Sequence, residues 1–135
     1  MSQYRRYDEV AVGDVFPDLP LTFEVGGVVE RFLAATGNDD PRYRDGKAVP
    51  SMVAAVYLID LLKARGSPPG GIHAKQAIRF HRALSVGDRL SLQGRVVDKY
   101  VRKDKPYVVS DFEARDVKGA LVSSGRITSI WGRDQ

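Results

Sequence analysis

An almost uninterrupted apolar segment, residues 50–63, constrains the fold of this chain more than any other feature. Apolar residues occupy nearly every position for about three turns, so a helix formed here must be covered on most of its sides. Gly66 and the Pro-Pro-Gly-Gly run at residues 68–71 end this helix. A chain of 135 residues has the length for one hydrophobic core. We therefore expect a single domain, residues 1–135, built around one buried helix.

Strand-like patterns dominate the rest of the chain. Leu90, Leu92 and Val96 lie on one face of a segment with period two and predict a half-buried strand. A charged turn is expected at residues 99–105, and a shorter amphipathic helix at residues 28–35. Further strand patterns lie at residues 19–25, 73–80, 106–114 and 120–131. Together these patterns predict an α+β domain in which a long antiparallel sheet surrounds the apolar helix.

The charge and hydropathy of the chain exclude several classes of protein. The net charge is +4, but the basic residues are scattered and their densest cluster is the turn at residues 99–105. We therefore expect no nucleic-acid partner, and an anionic small molecule is the remaining alternative for that cluster. No apolar run reaches the roughly 20 residues of a membrane-spanning helix. The first residues lack the apolar stretch of a signal peptide, so a cytoplasmic location is the default expectation.

Metal ions and cofactors are not expected either. The chain has no Cys and two His residues, which excludes disulfides and thiolate ligands and leaves little for zinc. Its glycine pairs lack the spacing of a phosphate-binding loop. The chemistry of any site must therefore come from carboxylates, hydroxyls, amides, imidazoles or the backbone.

One segment is similar to a known family signature. Residues 32–45 read Phe-Leu-Ala-Ala-Thr-Gly-Asn-Asp-Asp-Pro-Arg-Tyr-Arg-Asp. This resembles the signature of the MaoC-like hydratase and dehydratase family, which is approximately Ala-Ser-Gly-Asp-x-Asn-Pro-x-His-x-Asp. The opening at residues 7–14 and the segment 79–88 agree as well, so the resemblance covers roughly residues 5–132. It implies the hot-dog fold, a curved antiparallel sheet around a long central helix.

The resemblance also implies a substrate class and a reaction. Members of this family act on acyl thioesters of coenzyme A or acyl carrier protein, hydrating a trans-2-enoyl chain or dehydrating a 3-hydroxyacyl chain. The reaction needs a group that moves a proton between water and the α-carbon, and donors for the enolate-like oxygen. The family uses an Asp and a His for the first task. Family members pair with a second hot-dog chain, so we expect a homodimer or a heteromer.

Both catalytic positions of the family differ in this chain. The Asp falls on Asn38 and the His on Tyr43, and neither an amide nor a phenol is an effective base at neutral pH. Asp39 and Asp40 supply carboxylates nearby. We therefore predict Asn38, Asp40 and Tyr43 as the catalytic positions and Asp39 as a substrate contact. The alternative is that residues 38–41 only form a turn after the helix.

Three further positions are candidate substrate contacts. The entrance of the apolar helix offers the backbone N–H of Ser51 or Met52 as an oxyanion donor, and plain helix capping is the alternative. His73 can replace the missing acid or base, or it is a hydrogen-bonded surface residue. His81 lies an even number of residues further along the predicted strand, about 26 Å away, and is expected to be structural.

Two other functions remain open. The altered pair resembles noncatalytic subunits of the family, which bind substrate beside a catalytic hot-dog chain. A hot-dog thioesterase would need a carboxylate on the central helix, where Asp60 is the only one. The loop between the signature and this helix is short, residues 46–49, at a place where the family shapes its acyl pocket.

Overall fold

The computed structural model describes residues 4–44, 48–53 and 58–133. The strands in these ranges are β1 (Val15–Glu24), β2 (Ile72–Phe80), β3 (Arg89–Arg102), β4 (Lys105–Arg115) and β5 (Leu121–Ile130). The α-helices in the same ranges are α1 (Val29–Thr36), α2 (Pro41–Arg44) and α3 (Leu58–Lys63). Short 3₁₀ turns at Tyr7–Glu9 and Val25–Gly27 precede β1 and α1.

The strands form one antiparallel sheet in the order β1-β3-β4-β5-β2. The predicted strands are therefore confirmed, with two changes. β1 begins at Val15 instead of residue 19, and β3 continues through Tyr100 to Arg102, with a shift in its pairing with β4 at Val97. The charged turn is confirmed as a hairpin, because Lys103 and Asp104 have φ angles of 51° and 64°. Two successive left-handed residues are the geometry of a type I′ turn.

The core lies on one face of this sheet. Leu90, Leu92 and Val96, the predicted inward face of β3, are 0%, 1% and 2% exposed. Gly94 lies among them, and the ring of Phe16 from β1 fills the space where its side chain would be. The alternation in the sequence thus predicted the buried face of the central strand correctly.

The predicted apolar helix at residues 50–63 is described in part, because residues 54–57 lie outside the described ranges. Before this gap, the N–H of Val53 donates to the carbonyl of Pro50 at 3.0 Å. After it, α3 runs to Lys63. Val53 and Leu61 are 0% and 1% exposed, so both described parts contribute to the core. No helix within the described residues is long and apolar enough to cross a membrane.

Helix α1 ends at the glycine that the sequence marks as its stop. Gly37 has φ 68°, its N–H donates to the carbonyl of Ala34, and the next N–H, of Asn38, donates to the carbonyl of Leu33. This pair of bonds is the Schellman motif. It fixes the direction in which the chain leaves α1, and therefore the position of Asn38 beside the helix.

The connection between β2 and β3 is held by an arginine between two aspartates. Arg82 donates to both carboxylate oxygens of Asp88, at 2.9 and 3.0 Å, and to Asp116 at 3.3 Å. The N–H of Ser85 also donates to Asp88. Hydrogen bonding by Arg82 lowers the pKa of Asp88 below its ordinary value, although partial burial acts in the opposite direction. This cluster links residues 81–88 to the turn between β4 and β5.

We expect Arg82→Met to lower the free energy of unfolding by about 2 kcal/mol at pH 7, because two partly buried carboxylates lose a charged donor. A carboxyl group with a lowered pKa in the folded state stabilises the protein above its ordinary pKa, and this contribution disappears as the pH falls through the folded value. The difference between variant and wild type should therefore shrink below about pH 4. Urea unfolding at pH 7 and pH 3 measures both effects.

Arg126→Met is the matched control, because Arg126 forms an exposed ion pair with Asp111 at 2.7 Å. Exposed pairs contribute about 0–1 kcal/mol. Equal losses in the two variants would contradict a special role for Arg82.

Candidate functional site

Two adjoining clefts lie beside α1. The first, named here the Val86 cleft, has a volume of about 650 Å³ and lies between α1 and the connection from β2 to β3. Its lining includes Val29, Leu33, Asn38, Asp39, Tyr43 and Val86. The second, named the Met52 cleft, has a volume of about 530 Å³. Its lining includes Phe32, Thr36, Asn38, Tyr43, Ser51 and Met52.

Asn38 and Tyr43 line both clefts and therefore lie where the two meet. Apolar side chains of α1 form one wall of each cleft: Leu33 on one side and Phe32 on the other. Cavities of roughly 300–1,000 Å³ with apolar walls and a few polar groups are typical of small-molecule sites. Both clefts are open, and Asn38 is exposed to solvent in the single chain.

The backbone orients the amide of Asn38. The N–H of Asp40 donates to the side-chain oxygen of Asn38 at 3.0 Å, which forms an Asx turn after α1. The amide oxygen is thus engaged, and the –NH₂ group is the part of Asn38 that can donate to another molecule. Both the turn and the binding role expected of residues 38–41 are compatible with this geometry.

Asp40 has a different environment from the one expected of a base. Arg42 donates to its carboxylate through Nε, at 3.2 Å to each oxygen, and through Nη2 at 2.8 Å. The N–H of Arg42 adds a bond of 3.0 Å. These bonds from Arg42 lower the pKa of Asp40. Asp40 is not part of either lining as the described residues define them, so its predicted catalytic role stays untested.

Asp39 and Glu30 are the carboxylate residues that the described chain places in the lining of the Val86 cleft. A general base must first be within reach of the proton that it abstracts. By that criterion Asp39 is better placed than Asp40. Within the described residues, no group of three or more His, Cys, Asp or Glu side chains is arranged to hold a metal ion.

Ser51 and Met52 lie in a turn immediately before Val53 and line the Met52 cleft. Met52 is 54% exposed, whereas Val53 beside it is buried. The structure thus brings together five predicted site residues: Asn38, Asp39, Tyr43, Ser51 and Met52. The use of a backbone N–H here as an oxyanion donor remains a prediction.

The two histidines lie elsewhere. His73 is exposed on β2, opposite Ser129 of β5. His81 follows the end of β2 and hydrogen bonds to the hydroxyl of Ser124 at 2.8 Å. Neither histidine belongs to the linings that the described residues give the two clefts. The prediction that His81 lies on the same strand as His73 was wrong, because β2 ends at Phe80, and a bulge at Ala74 also shifts the pairing register between them.

The basic cluster at residues 99–105, which spans the end of β3, the turn and the start of β4, does not border the clefts. Helix α1 follows β1, whose last residue, Glu24, pairs with Arg89 at the start of β3. The turn lies at the other end of β3, on the order of 40 Å away at the usual rise of a strand. One of its basic residues, Lys99, already uses its ammonium group within the chain, where it donates to the carbonyls of Tyr7 and Val10 at 2.8 Å. The basic cluster therefore does not supply positive charge at the mouth of the two clefts in the same chain.

Sequence reasoning missed two contributors to the site. Arg42 donates hydrogen bonds to the carboxylate of Asp40, and its guanidinium carbon lies 5.5 Å from the ring centre of Tyr43. An arginine two residues after an aspartate, with a proline between them, was the available signal. Val86 lies far from the signature in sequence and reaches the cleft because Gly26 packs directly against its carbonyl. Local patterns do not reveal such a contact.

Comparison with known proteins gives a consistent result for the fold. No family model matches the chain, and no curated protein matches it significantly. Among solved structures, the R-hydratase PhaJ1 from Pseudomonas aeruginosa is similar, with a TM-score of 0.80 and 20% identity, over 95% of this chain and 86% of that chain. The (R)-hydratase from A. caviae involved in PHA biosynthesis has a TM-score of 0.74 and 22% identity, over 90% and 97% of the two chains.

A third similar structure is a complex. The HadBC (3R-hydroxyacyl-ACP dehydratase) complex from Mycobacterium tuberculosis gives a TM-score of 0.72 at 19% identity, over 90% of this chain and 96% of that chain. At these identities the likeness shows the fold alone. The predicted α+β hot-dog fold is thereby confirmed.

Proposed function

We propose that this chain is a single MaoC-like hot-dog domain that binds an acyl thioester at the wall shared by the Val86 and Met52 clefts. In this proposal it supports the (R)-specific hydration of an enoyl thioester, or the reverse dehydration of a 3-hydroxyacyl thioester, together with a second hot-dog chain. The position of Asn38 and Tyr43 carries the proposal. These residues match the catalytic Asp and His of the family signature, and they line both clefts.

The chemistry of the shared wall favours binding over catalysis by this chain alone. The amide –NH₂ of Asn38 and the hydroxyl of Tyr43 can donate to a thioester carbonyl or to a water molecule. The clefts as described hold no imidazole, and the carboxylate of Asp40 is engaged by Arg42. The apolar walls suit an acyl chain, and the openness of both clefts suits a site that a partner chain completes.

The proposal predicts affinity without turnover. Purified protein mixed with trans-2-enoyl-CoA of several chain lengths should bind at least one of them in calorimetry, while the enoyl absorbance stays constant. Tyr43→Phe should weaken binding by on the order of tenfold, since one hydrogen bond to the ligand contributes about 1 kcal/mol.

Tyr107→Phe is the matched control, because Tyr107 stacks on Tyr100 in the hairpin of β3 and β4, outside both clefts. Equal affinity of wild type and both variants would contradict the assignment of the shared wall. Absence of binding to every chain length, with the fold intact, would contradict the proposed substrate class.

A second candidate is a hydratase that works without a partner. The position of Asp39 in the Val86 cleft favours it, because this carboxylate can replace the base that Asn38 has lost. Loss of enoyl absorbance with wild-type protein alone would support this candidate over the binding subunit.

A further inference from the structure

The face of the sheet that points away from the core carries a third cleft. This cleft, named here the Ser124 cleft, has a volume of about 470 Å³. Its lining includes Arg79 of β2, Ser124 and Arg126 of β5, and Asp111 and Glu113 of β4. Phe112, between the two acidic residues, is 3% exposed and belongs to the core, so its neighbours in the strand point to the opposite face. As the described residues define them, the Ser124 cleft shares no lining residue with the Val86 and Met52 clefts.

Three polar side chains are neighbours of Ser124 on this face. Arg79 lies directly opposite Ser124 on the adjacent strand, which places their Cβ atoms roughly 5 Å apart. The ring nitrogen Nε2 of His81 lies 2.8 Å from the hydroxyl of Ser124. Arg126 follows Ser124 by two residues in β5 and therefore lies on the same face. One imidazole and two guanidinium groups thus lie beside a single hydroxyl.

The acidic residues of the cleft are already engaged by arginines. Arg126 donates to the two oxygens of Asp111 through Nε at 2.7 Å and Nη2 at 3.2 Å. Arg115 donates to both oxygens of Glu113 at 3.0 Å. Arg79, in contrast, forms no ion pair within the described chain. The cleft therefore has one positive charge on its β2 side that the described residues do not balance.

His81 gives the hydroxyl of Ser124 a direction. A serine hydroxyl has one O–H donor and two lone pairs. When Nε2 of the imidazole carries a proton, the ring donates to Oγ of Ser124, and the O–H of Ser124 is available to a molecule in the cleft. His81 itself is not part of the lining as the described residues define it. It acts as a positioning residue for Ser124 and adds positive charge when it is protonated.

We propose that the Ser124 cleft binds a phosphate group, either free phosphate or the phosphate of an organic monoester. The phosphate oxygens accept hydrogen bonds from the guanidinium of Arg79 and the hydroxyl of Ser124. Nη1 of Arg126, which does not bind Asp111, is a further donor. A tetrahedral dianion suits donors that come from two strands, and arginine is a preferred side chain for phosphate recognition. A dianion also gains more from these positive charges than a carboxylate does.

Titration of the full chain followed by heteronuclear NMR tests the site. Inorganic phosphate at constant ionic strength should shift the backbone amide signals of Ser124 and Gly125 to saturation, and acetate should bind more weakly. Arg79→Met should raise the Kd for phosphate on the order of tenfold, and Ser124→Ala about threefold, because each variant loses a donor. His81→Gln, whose amide can still donate to Ser124, should bind phosphate more tightly than His81→Leu. Phenyl phosphate separates the two sources, because a site for esters binds it at least as tightly as inorganic phosphate and a site for free phosphate binds it less tightly.

Arg95→Met is the matched control, because it removes the same charge from the same face of the sheet, at a position of β3 opposite Asp111. It should bind phosphate with the wild-type Kd, and circular dichroism of each variant establishes that the fold is kept. The inference is overturned if neither phosphate probe gives a saturable shift, if acetate binds as tightly as phosphate, or if Arg95→Met raises the Kd as much as Arg79→Met. Equal affinities of the two His81 variants would contradict the positioning role of His81. The titrations contain no thioester and the cleft is separate from the shared wall, so this inference and the proposed function can fail independently.

Discussion

Replacing Gly125 with alanine is expected to abolish stable folding. A Cβ atom at this position of β5 would overlap the carbonyl oxygen of Ala77 in β2 and lie 2.5 Å from Cζ of Phe112. The first of these atoms belongs to the backbone of the neighbouring strand and cannot rotate away. Either β2 must separate from β5, or the ring of Phe112 must leave the core. We expect a loss of at least about 4 kcal/mol, a large part of the stability of a domain of this size.

Urea unfolding followed by circular dichroism measures this loss, and Gly87→Ala is the matched control. A Cβ atom at Gly87 meets no atom within 4 Å, and its φ lies outside the left-handed region. Its free energy of unfolding should stay within about 1 kcal/mol of wild type. An equal midpoint for Gly125→Ala and wild type would contradict the close packing of β2 on β5.

Period-two alternation was sufficient to predict most of the sheet. Leu90, Leu92 and Val96 form a buried stripe because one face of β3 packs on the core and the other does not. Gly37 ends α1 with φ 68°, a conformation that glycine adopts at little cost. These features depend on a few consecutive residues, so the sequence contains them in readable form. The fold class followed from their order along the chain.

The bulge in β2 shows where such reasoning fails. An extra residue at Ala74 lets His73 pair with Ser129 and Lys75 with Thr128. A period of two continued through this point assigns the later side chains to the wrong face. The polar and apolar residues of β2 do not reveal the bulge, because all of its side chains are exposed or half-buried and neither face has a strict pattern.

The candidate site was predictable as a set of residues, but the roles within the set were not. The signature indicated residues 38–43, and the structure places Asn38, Asp39 and Tyr43 at the clefts. The difference between Asp39 and Asp40 depends on the direction of two adjacent side chains after a turn. In the structure Arg42 binds the carboxylate of Asp40, whereas Asp39 belongs to the lining of the Val86 cleft. The sequence shows this pair as an arginine two residues after an aspartate, but that spacing alone does not indicate which of the two aspartates the arginine binds.

Under the proposed function, placing the Asp and His of the MaoC-like signature at residues 38 and 43 is expected to give this chain hydratase activity. In Asn38→Asp/Tyr43→His, a carboxylate and an imidazole replace the two residues that line both clefts. Aspartate keeps an oxygen for the N–H of Asp40, which now donates to Asn38 at 3.0 Å, so the turn can persist. Positioned acid–base groups typically contribute about 10²–10⁴ in rate. We expect hydration of trans-2-enoyl-CoA at least about 100-fold faster than with wild type.

The matched control moves the imidazole out of the clefts. Asn38→Asp/Tyr107→His has the same composition as the restored variant, but its histidine lies on β4 in the stacked pair with Tyr100. If hydration depends on the shared wall, this control and both single variants at Asn38 and Tyr43 should stay near the wild-type rate. Equal rates in the two double variants would mean that the wall is not where the thioester reacts. A rate gained only by the restored variant would place the reaction at the wall that Asn38 and Tyr43 share, because no other variant in the series carries both groups there.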